Sequence, residues 1–187
     1  MTLRKAIEVI AELAKQEAIK QYAITGAVAA LNYIQPTLTE DLDILVSVGD
    51  FEQRKSGFLL LTPIEDALAR MGYIERSELG ISIEGWPVQF LPVASALDEE
   101  ALATADEVDL GVKFENEPSI KARVLRAEYL VAIALKVGRL KDLARVDAFL
   151  TQKAVDVGAL KTVLQRFDLL PAWSSFCVKA GIPDILR

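Results

Sequence analysis

Leu3, Ile7, Ile10 and Leu13 recur at three- and four-residue steps, so one apolar face predicts a first helix that runs on into Lys20. Gln21 to Thr25 then reads as a short strand, Gly26-Ala27 as a tight turn, and Val28 to Tyr33 as a helix of small residues ending before Pro36. A second apolar run, Leu42 to Val46, has strand character with acids at its mouth. Val48 to Gly57 is a polar connector, Pro63 to Met71 a helix stopped by Gly72, and Tyr73 to Ile83 with Val88 to Leu91 a pair of strands. Ala96 to Ala105 is helical, with Asp98, Glu99 and Glu100 as a solvated acidic turn, and Ser119 to Leu125 is a short strand or connector. From Arg126 onward helices dominate: Arg126 to Val137 closing at Gly138, Arg139 to Leu150, Val157 to Phe167, and a last one opening near Pro171.

This order implies an α/β chain (α+β in detail) with a small mixed sheet flanked by helices and a helical C-terminal segment. The expected division is a core over residues 1–118 and a helical segment over 119–187, with one compact domain as the alternative; any boundary falls near Pro118. No internal repeat or low-complexity tract interrupts the chain.

The segment Thr39-Glu40-Asp41-Leu42-Asp43-Ile44 carries the first chemical signal. Alternate residues of a strand share a face, so Asp41 and Asp43 point the same way about 6.6 Å apart while Leu42 and Ile44 face the core. Two like charges at that separation repel by roughly 3 kcal/mol at an effective dielectric of about 20, and a bound divalent cation relieves this. Carboxylate oxygens without histidine or thiolate select a hard ion such as Mg²⁺ over zinc. An acidic pair also marks an ordinary solvated strand end. What separates the two readings is Gly26, one short helix upstream, where a strand-to-helix turn without a Cβ lets backbone N–H groups approach a phosphate.

The run Ile24-Thr25-Gly26-Ala27-Val28-Ala29-Ala30-Leu31-Asn32-Tyr33 followed by Leu38-Thr39-Glu40-Asp41-Leu42-Asp43-Ile44 resembles the nucleotidyltransferase superfamily in its small bacterial, abortive-infection (AbiEii-like) branch. Further blocks are similar in the same order: Pro63 to Leu68 through Gly72-Tyr73, Trp86 to Pro92, and Glu128-Tyr129-Leu130 through Gly138-Arg139-Leu140-Lys141-Asp142. The resemblance implies a nucleotidyltransferase-like fold and Mg²⁺-dependent transfer of a nucleoside monophosphate from an NTP to a hydroxyl of RNA, protein or a small molecule, in a toxin-like setting. On that reading Asp41 and Asp43 bind the metal, and Gly26 and Ala27 approach the phosphates. Lys136 neutralises triphosphate charge, Arg139 or Lys141 assists, and Asp142 orients a lysine or the metal shell.

Two departures from the superfamily pattern matter. Gly26-Ala27 replaces the usual Gly-Gly or Gly-Ser, a mild change. The position of a third carboxylate is matched by Gln89 in Val88-Gln89-Phe90-Leu91, and an amide brings neither negative charge nor a general base. A catalytically weak nucleotide-binding or partner-binding module is therefore the second expectation. The Lys136 to Asp142 cluster also has an ordinary structural account, since a lysine at a helix C-terminus complements its dipole and Asp142 with Arg145 is an i,i+3 pair. Glu84, between Ile83 and Gly85, reads as a hairpin tip; Glu40 falls on the face opposite the acidic pair; Tyr33 and Trp86 are candidates for stacking on a base or for plain packing.

Composition removes several alternatives. The 187 residues are 52% hydrophobic and 26% charged, enough for a substantial core, and carry no histidine, which excludes Ser-His-Asp and Cys-His catalysis and histidine-bound zinc. A single cysteine, Cys177, permits no internal disulfide and suits a reducing cytoplasm. No apolar stretch reaches membrane-spanning length, the N-terminus lacks the pattern of a signal peptide, and a net charge of −6 speaks against nonspecific nucleic-acid binding.

Overall fold

The computed structural model describes residues 3–35, 39, 41–47, 61–110 and 120–186. The Val48 to Gly57 connector, Glu40 and the Pro118 boundary lie outside them. In chain order the elements are α1 (Leu3–Lys15), β1 (Gln21–Ile24), α2 (Gly26–Ala30), β2 (Leu42–Ser47), α3 (Thr62–Arg70), β3 (Arg76–Ser77), β4 (Gly80–Ile83), β5 (Trp86–Pro92), α4 (Ala96–Ala103), β6 (Asp106–Asp109), β7 (Lys121–Val124), α5 (Ala127–Val137), α6 (Leu140–Thr151), α7 (Val157–Arg166) and α8 (Leu170–Ala180).

The strands form one mixed sheet in the order β3-β4-β5-β2-β1-β7-β6. Its centre is the antiparallel β1–β2 pair, flanked by two parallel pairings, β2 with β5 and β1 with β7. This mixed α/β architecture matches the expected fold class, with two differences in the strands. The single strand expected from Tyr73 to Ile83 is two, β3 and β4, folded back on each other with Ser77 opposite Gly80. The second is β6, whose sequence Asp-Glu-Val-Asp carries little strand propensity. It forms because its acids meet bases across the ladder: Glu107 lies opposite Arg123, Asp109 opposite Lys121, and the Lys121 ammonium is 3.2 Å from Glu107. β7 falls after residue 118 yet completes the sheet between β1 and β6, so the sheet draws on both sides of the expected boundary.

The apolar stripe of α1 behaves as its spacing dictates, with Leu3, Ile7, Ile10 and Leu13 all buried. α5 is the central helix: eight of its residues are buried, and it packs against α2, α4, α6, α7 and α8. A helix apolar on nearly every side needs partners on nearly every side. It stops at Gly138, whose left-handed backbone (φ 72°) forms the cap. Two polar contacts tie the surrounding helices to it. Tyr129 Oη donates to Glu100 Oε1 on α4 (2.6 Å), which also receives Arg166 Nη1 from α7 (2.6 Å), and the buried Glu128 accepts from the backbone N–H of Asp156, the N-cap of α7 (3.1 Å). Cys177 is buried on α8. Among the described residues no helix is long and apolar enough to cross a membrane.

Candidate active site

One wall of the site is the β1–α2–β2 corner. β1 ends at Ile24, Thr25 stays extended, and Gly26 turns the chain with φ 64°, a backbone that L side chains rarely adopt. The Thr25 N–H donates to the Asp43 carbonyl (2.9 Å), which fixes β1 against β2 at this point. Asp43 then lays its side chain over the glycine: a Cβ on Gly26 would overlap Asp43 Oδ2 and lie 3.0 Å from its Cγ. Gly26 is thus required twice, for its φ and for the space the carboxylate occupies.

β2 alternates as expected. Leu42 and Ile44 are fully buried, Asp43 is half-buried on the other face, and Asp41 stands just before the strand begins. The Thr39 hydroxyl lies within hydrogen-bond reach of the Asp41 carbonyl (3.1 Å) and its Oδ1 (3.3 Å), bracing the entry to the strand.

The opposite wall is the α5–α6 corner. Beyond Gly138, Arg139 is extended and caps α6, and Asp142 in the first turn is almost completely buried. Arg139 Nε donates to Asp142 Oδ2 (2.6 Å), and Arg145 Nη1 lies 3.5 Å from Asp142 Oδ1. The spacing Arg139, Asp142, Arg145 is what sets this clamp, because residues three apart on a helix are neighbours.

Between the two walls lies a cavity enclosing about 620 Å³ of atom-free space, part of it open to solvent. Thr25, Gly26, Ala27, Asp41 and Asp43 line it on one side and Arg139, Lys141, Asp142 and Arg145 on the other, with an aliphatic strip from β5 and α5 between them. The two sides feel each other. Burial raises the proton affinity of Asp43 above the ordinary aspartate value and the charge of Asp41 raises it further, while Lys141, Arg145 and Arg139 pull it back. Arg139 is held above the usual guanidinium value by its hydrogen bond to Asp142, with the charges of Asp142, Asp43 and Asp41 adding to the effect.

Of the residues singled out from sequence, Gly26, Ala27, Asp41, Asp43, Arg139, Lys141 and Asp142 converge on this cavity. Lys136 does not line it. At about 100° per residue, Ile133, Ala134 and Val137 occupy the cavity-facing stripe of α5 and Lys136 falls to its flank, where its ammonium donates to Ser95 Oγ (2.8 Å) at the N-cap of α4. Gln89 is the register partner of Asp43 in the parallel β2–β5 pair, on the same sheet face one strand spacing of about 4.8 Å away. It too is outside the cavity lining, and borders a neighbouring depression with Glu65, Arg76 and Ser77. Glu84 sits at the β4–β5 turn, accepts from Tyr73 Oη (2.7 Å) and does not line the cavity. Tyr33 donates to the Leu125 carbonyl (3.1 Å) with its ring 6.1 Å from that of Phe149, and Trp86 is half-buried at the hairpin. Neither aromatic reaches the cavity. Sequence reasoning left out Thr25 and Arg145 as site residues; for Arg145 the i,i+3 pairing with Asp142 was the available signal.

The donor set suits a hard cation. Two carboxylates, Asp43 on β2 and Asp41 just ahead of it, line one cavity, Asp43 with raised proton affinity, and Mg²⁺ is ordinarily held by one or two carboxylates with substrate phosphates supplying further oxygens. Among the described residues no group of three or more carboxylate, thiol or imidazole side chains surrounds a common point, so an all-protein cage is not on offer there.

No protein-family model and no curated protein matches the chain. Among solved structures, an antigenic nucleotidyltransferase-like protein from Paracoccidioides brasiliensis superposes with a TM-score of 0.50 at 15% identity, over 94% of this chain and 93% of that one. The fold is nucleotidyltransferase-like. Two structures of the antibiotic-resistance factor ANT(2'')-Ia also align. The solution structure does so with a TM-score of 0.48 at 16% identity over 89% of this chain and 91% of that one. The crystal structure in complex with adenylyl-2''-tobramycin does so at 0.47 and 15%, over 87% and 94%.

Proposed function

We propose that the protein is a nucleotidyltransferase that moves a nucleoside monophosphate from a Mg²⁺-bound NTP to a hydroxyl acceptor. The observation that carries this reading is the convergence, in one cavity, of an acidic pair at the head of β2, beside the Gly26 turn, with three cationic side chains at the start of α6. Asp41 and Asp43 would hold the metal, which when bound offsets negative charge on the transferring phosphoryl group. Arg139, Lys141 and Arg145 take up triphosphate charge from the other side, and the missing Cβ of Gly26 leaves the room in which the Asp43 carboxylate sits at the cavity wall. Asp142 touches no substrate on this reading: it keeps the Arg139 and Arg145 forks aimed. With Lys136 engaged by Ser95, the charge-neutralising role passes to Lys141 and Arg145.

The acceptor, whether RNA, a protein or a small molecule, stays open, and membership of the abortive-infection-like branch with a toxin-like role rests on the sequence blocks alone. Calorimetric titration of the four NTPs with and without Mg²⁺ tests the site. The Asp41→Asn/Asp43→Asn double variant loses metal-dependent binding and keeps its fold; equal affinity in variant and wild type sinks the proposal.

Gln89 supports a second reading, a nucleotide-binding module with little turnover, because the residue level with Asp43 on the adjacent strand is an amide. On this reading Gln89→Asp raises transfer above wild type. Robust wild-type transfer that Gln89→Ala leaves unchanged decides against it.

A further inference from the structure

The β1–β2 register continues one step past Ile24 and Ile44 and sets Thr25 opposite Asp43, where the Thr25 N–H meets the Asp43 carbonyl (2.9 Å). Thr25 is extended (φ −129°, ψ −167°), so the strand alternation holds and its side chain shares a sheet face with that of Asp43. Asp43 is in turn level with Gln89 on β5. Thr25, Asp43 and Gln89 thus form a polar row across three strands, backed on the opposite face by the buried row Ile24, Ile44 and Phe90. Of the two residues flanking Asp43, Thr25 lines the cavity and Gln89 does not, so a ligand in the cavity passes over the Thr25 side of the row.

Thr25 is only 6% exposed, yet its hydroxyl is uncommitted. At the N-cap of a helix a threonine oxygen ordinarily accepts from a backbone N–H of the first turn, and Thr25 makes no such bond to α2. Ser95 and Asp156, at the N-caps of α4 and α7, do accept from the N–H groups of Asp98 and Ala159. Nor does the Thr25 hydroxyl bond Asp41, Asp43 or any other partner among the described residues. Among those residues every sealed side-chain nitrogen or oxygen is hydrogen-bonded, so the unbonded Thr25 oxygen touches open space, and the space that Thr25 borders is the cavity.

Resting on the nucleotidyl transfer proposed above, we infer that Thr25 is a phosphate-binding residue whose hydroxyl donates to a phosphoryl oxygen of the NTP. Ionised carboxylates only accept, so Asp41 and Asp43 meet phosphate through a cation, whereas a hydroxyl donates to it directly. Of the described residues on this wall, Thr25 alone carries a side-chain donor: Gly26 and Ala27 bring none. A bond from a hydroxyl to an anionic oxygen is charge-assisted, and its donor is already held in place by the strand register.

The test measures binding of ATP and of inorganic tripolyphosphate, each with Mg²⁺, to the wild type, Thr25→Val and Thr25→Ser, with thermal unfolding of each unliganded protein alongside. Valine keeps the β-branched shape and removes the hydroxyl; serine keeps the hydroxyl. Thr25→Val should weaken both ligands by about tenfold or more, as for a hydrogen bond to a charged group, and Thr25→Ser by no more than about threefold. Because the hydroxyl holds nothing in the unliganded fold, the melting midpoint of Thr25→Val should match or exceed that of wild type. Wild-type affinity in Thr25→Val overturns the inference, as does an equal loss in the two variants. A loss for ATP that spares tripolyphosphate assigns the hydroxyl to the nucleoside, and a lowered midpoint in Thr25→Val makes it a structural group; either result also overturns it. A wild type that binds neither ligand overturns the proposed function itself, and that result is read before any variant is compared.

Discussion

Gly26 and Gly138 stand on opposite walls of one cavity with nearly the same backbone, φ 64° and 72°, yet they are needed for different reasons. At Gly138 a Cβ would meet only the Leu135 carbonyl at 3.8 Å, an ordinary contact, so the residue is there for its left-handed φ and for ending α5. At Gly26 the same Cβ would run into the carboxylate of Asp43. One corner is built around space that the Asp43 carboxylate occupies, the other around a helix cap that delivers Arg139 and Asp142. A positive φ alone marks a turn; a positive φ with an occupied Cβ position marks a turn shaped around what sits against it.

Substitution at the two glycines separates these roles most sharply. Gly26→Ala combines backbone strain of about 1–2 kcal/mol with an overpacking penalty of about 1–3 kcal/mol, and it displaces Asp43. Chemical denaturation should show a loss of at least about 2 kcal/mol, together with loss of Mg²⁺-dependent NTP binding. Gly138→Ala should cost only the shared backbone strain of about 1–2 kcal/mol, with no overpacking, and leave that binding within a few-fold of wild type. Equal behaviour of the two variants would erase the contrast.

Next in size is Asp142→Ala. It strips the carboxylate from Arg139 and from the mostly buried Arg145, and because Arg139 stays open to solvent the cost is about 2 kcal/mol, below the 3–5 kcal/mol typical of a fully buried pair. NTP affinity should fall as both guanidiniums lose their aim, whereas Asp142→Asn, which retains an acceptor, recovers part of it. Affinity that survives Asp142→Ala would assign Asp142 to the fold alone.

The smallest effect is a dependence on pH. Since burial and Asp41 raise the proton affinity of Asp43, the folded chain keeps a proton that the unfolded chain has already released between the ordinary aspartate value and the raised one. Stability therefore falls as pH rises through that window and stays lower at neutral pH. Asp43→Asn should flatten this fall and gain stability at pH 7, an advantage that shrinks as the pH drops toward the ordinary aspartate range. Melting curves recorded without divalent cations check it; a variant less stable than wild type at pH 7 contradicts the burial account.

The acidic corner was legible because its information is local. A strand, a glycine, a short helix and two acids at i and i+2 lie within about two dozen residues, and period-two alternation assigns their faces. The helices from Arg126 onward were legible for the same reason, through apolar spacing and Gly138. β6 was not, because three of its four residues are acids that make sense only opposite Arg123 and Lys121. The β3–β4 break was hidden as well: Gly80 at φ 131° lets the chain pass so close to the Val88 carbonyl that a Cβ there would lie 2.7 Å from its carbon, a contact between segments that no local pattern reports. Lys136 and Lys141 stand on either side of the Gly138 turn, and only the three-dimensional placement of their two helices decides which meets the cavity: Lys136 falls on the flank of α5, whereas Lys141 in the first turn of α6 lines it.

The pairing of Ile24 with Val124 joins residues 100 positions apart, whereas Ile24 with Ile44 joins neighbours across a single short helix. Loop closure over the longer span is entropically dearer, and contacts of that range slow folding. The acidic corner is accordingly expected to form first, as a local β1–α2–β2 unit, with the cationic wall following when β7 docks and brings α5 and α6 into place. During refolding, burial of the β1–β2 core should precede recovery of nucleotide affinity, so that ligand binding reports the last large step of assembly.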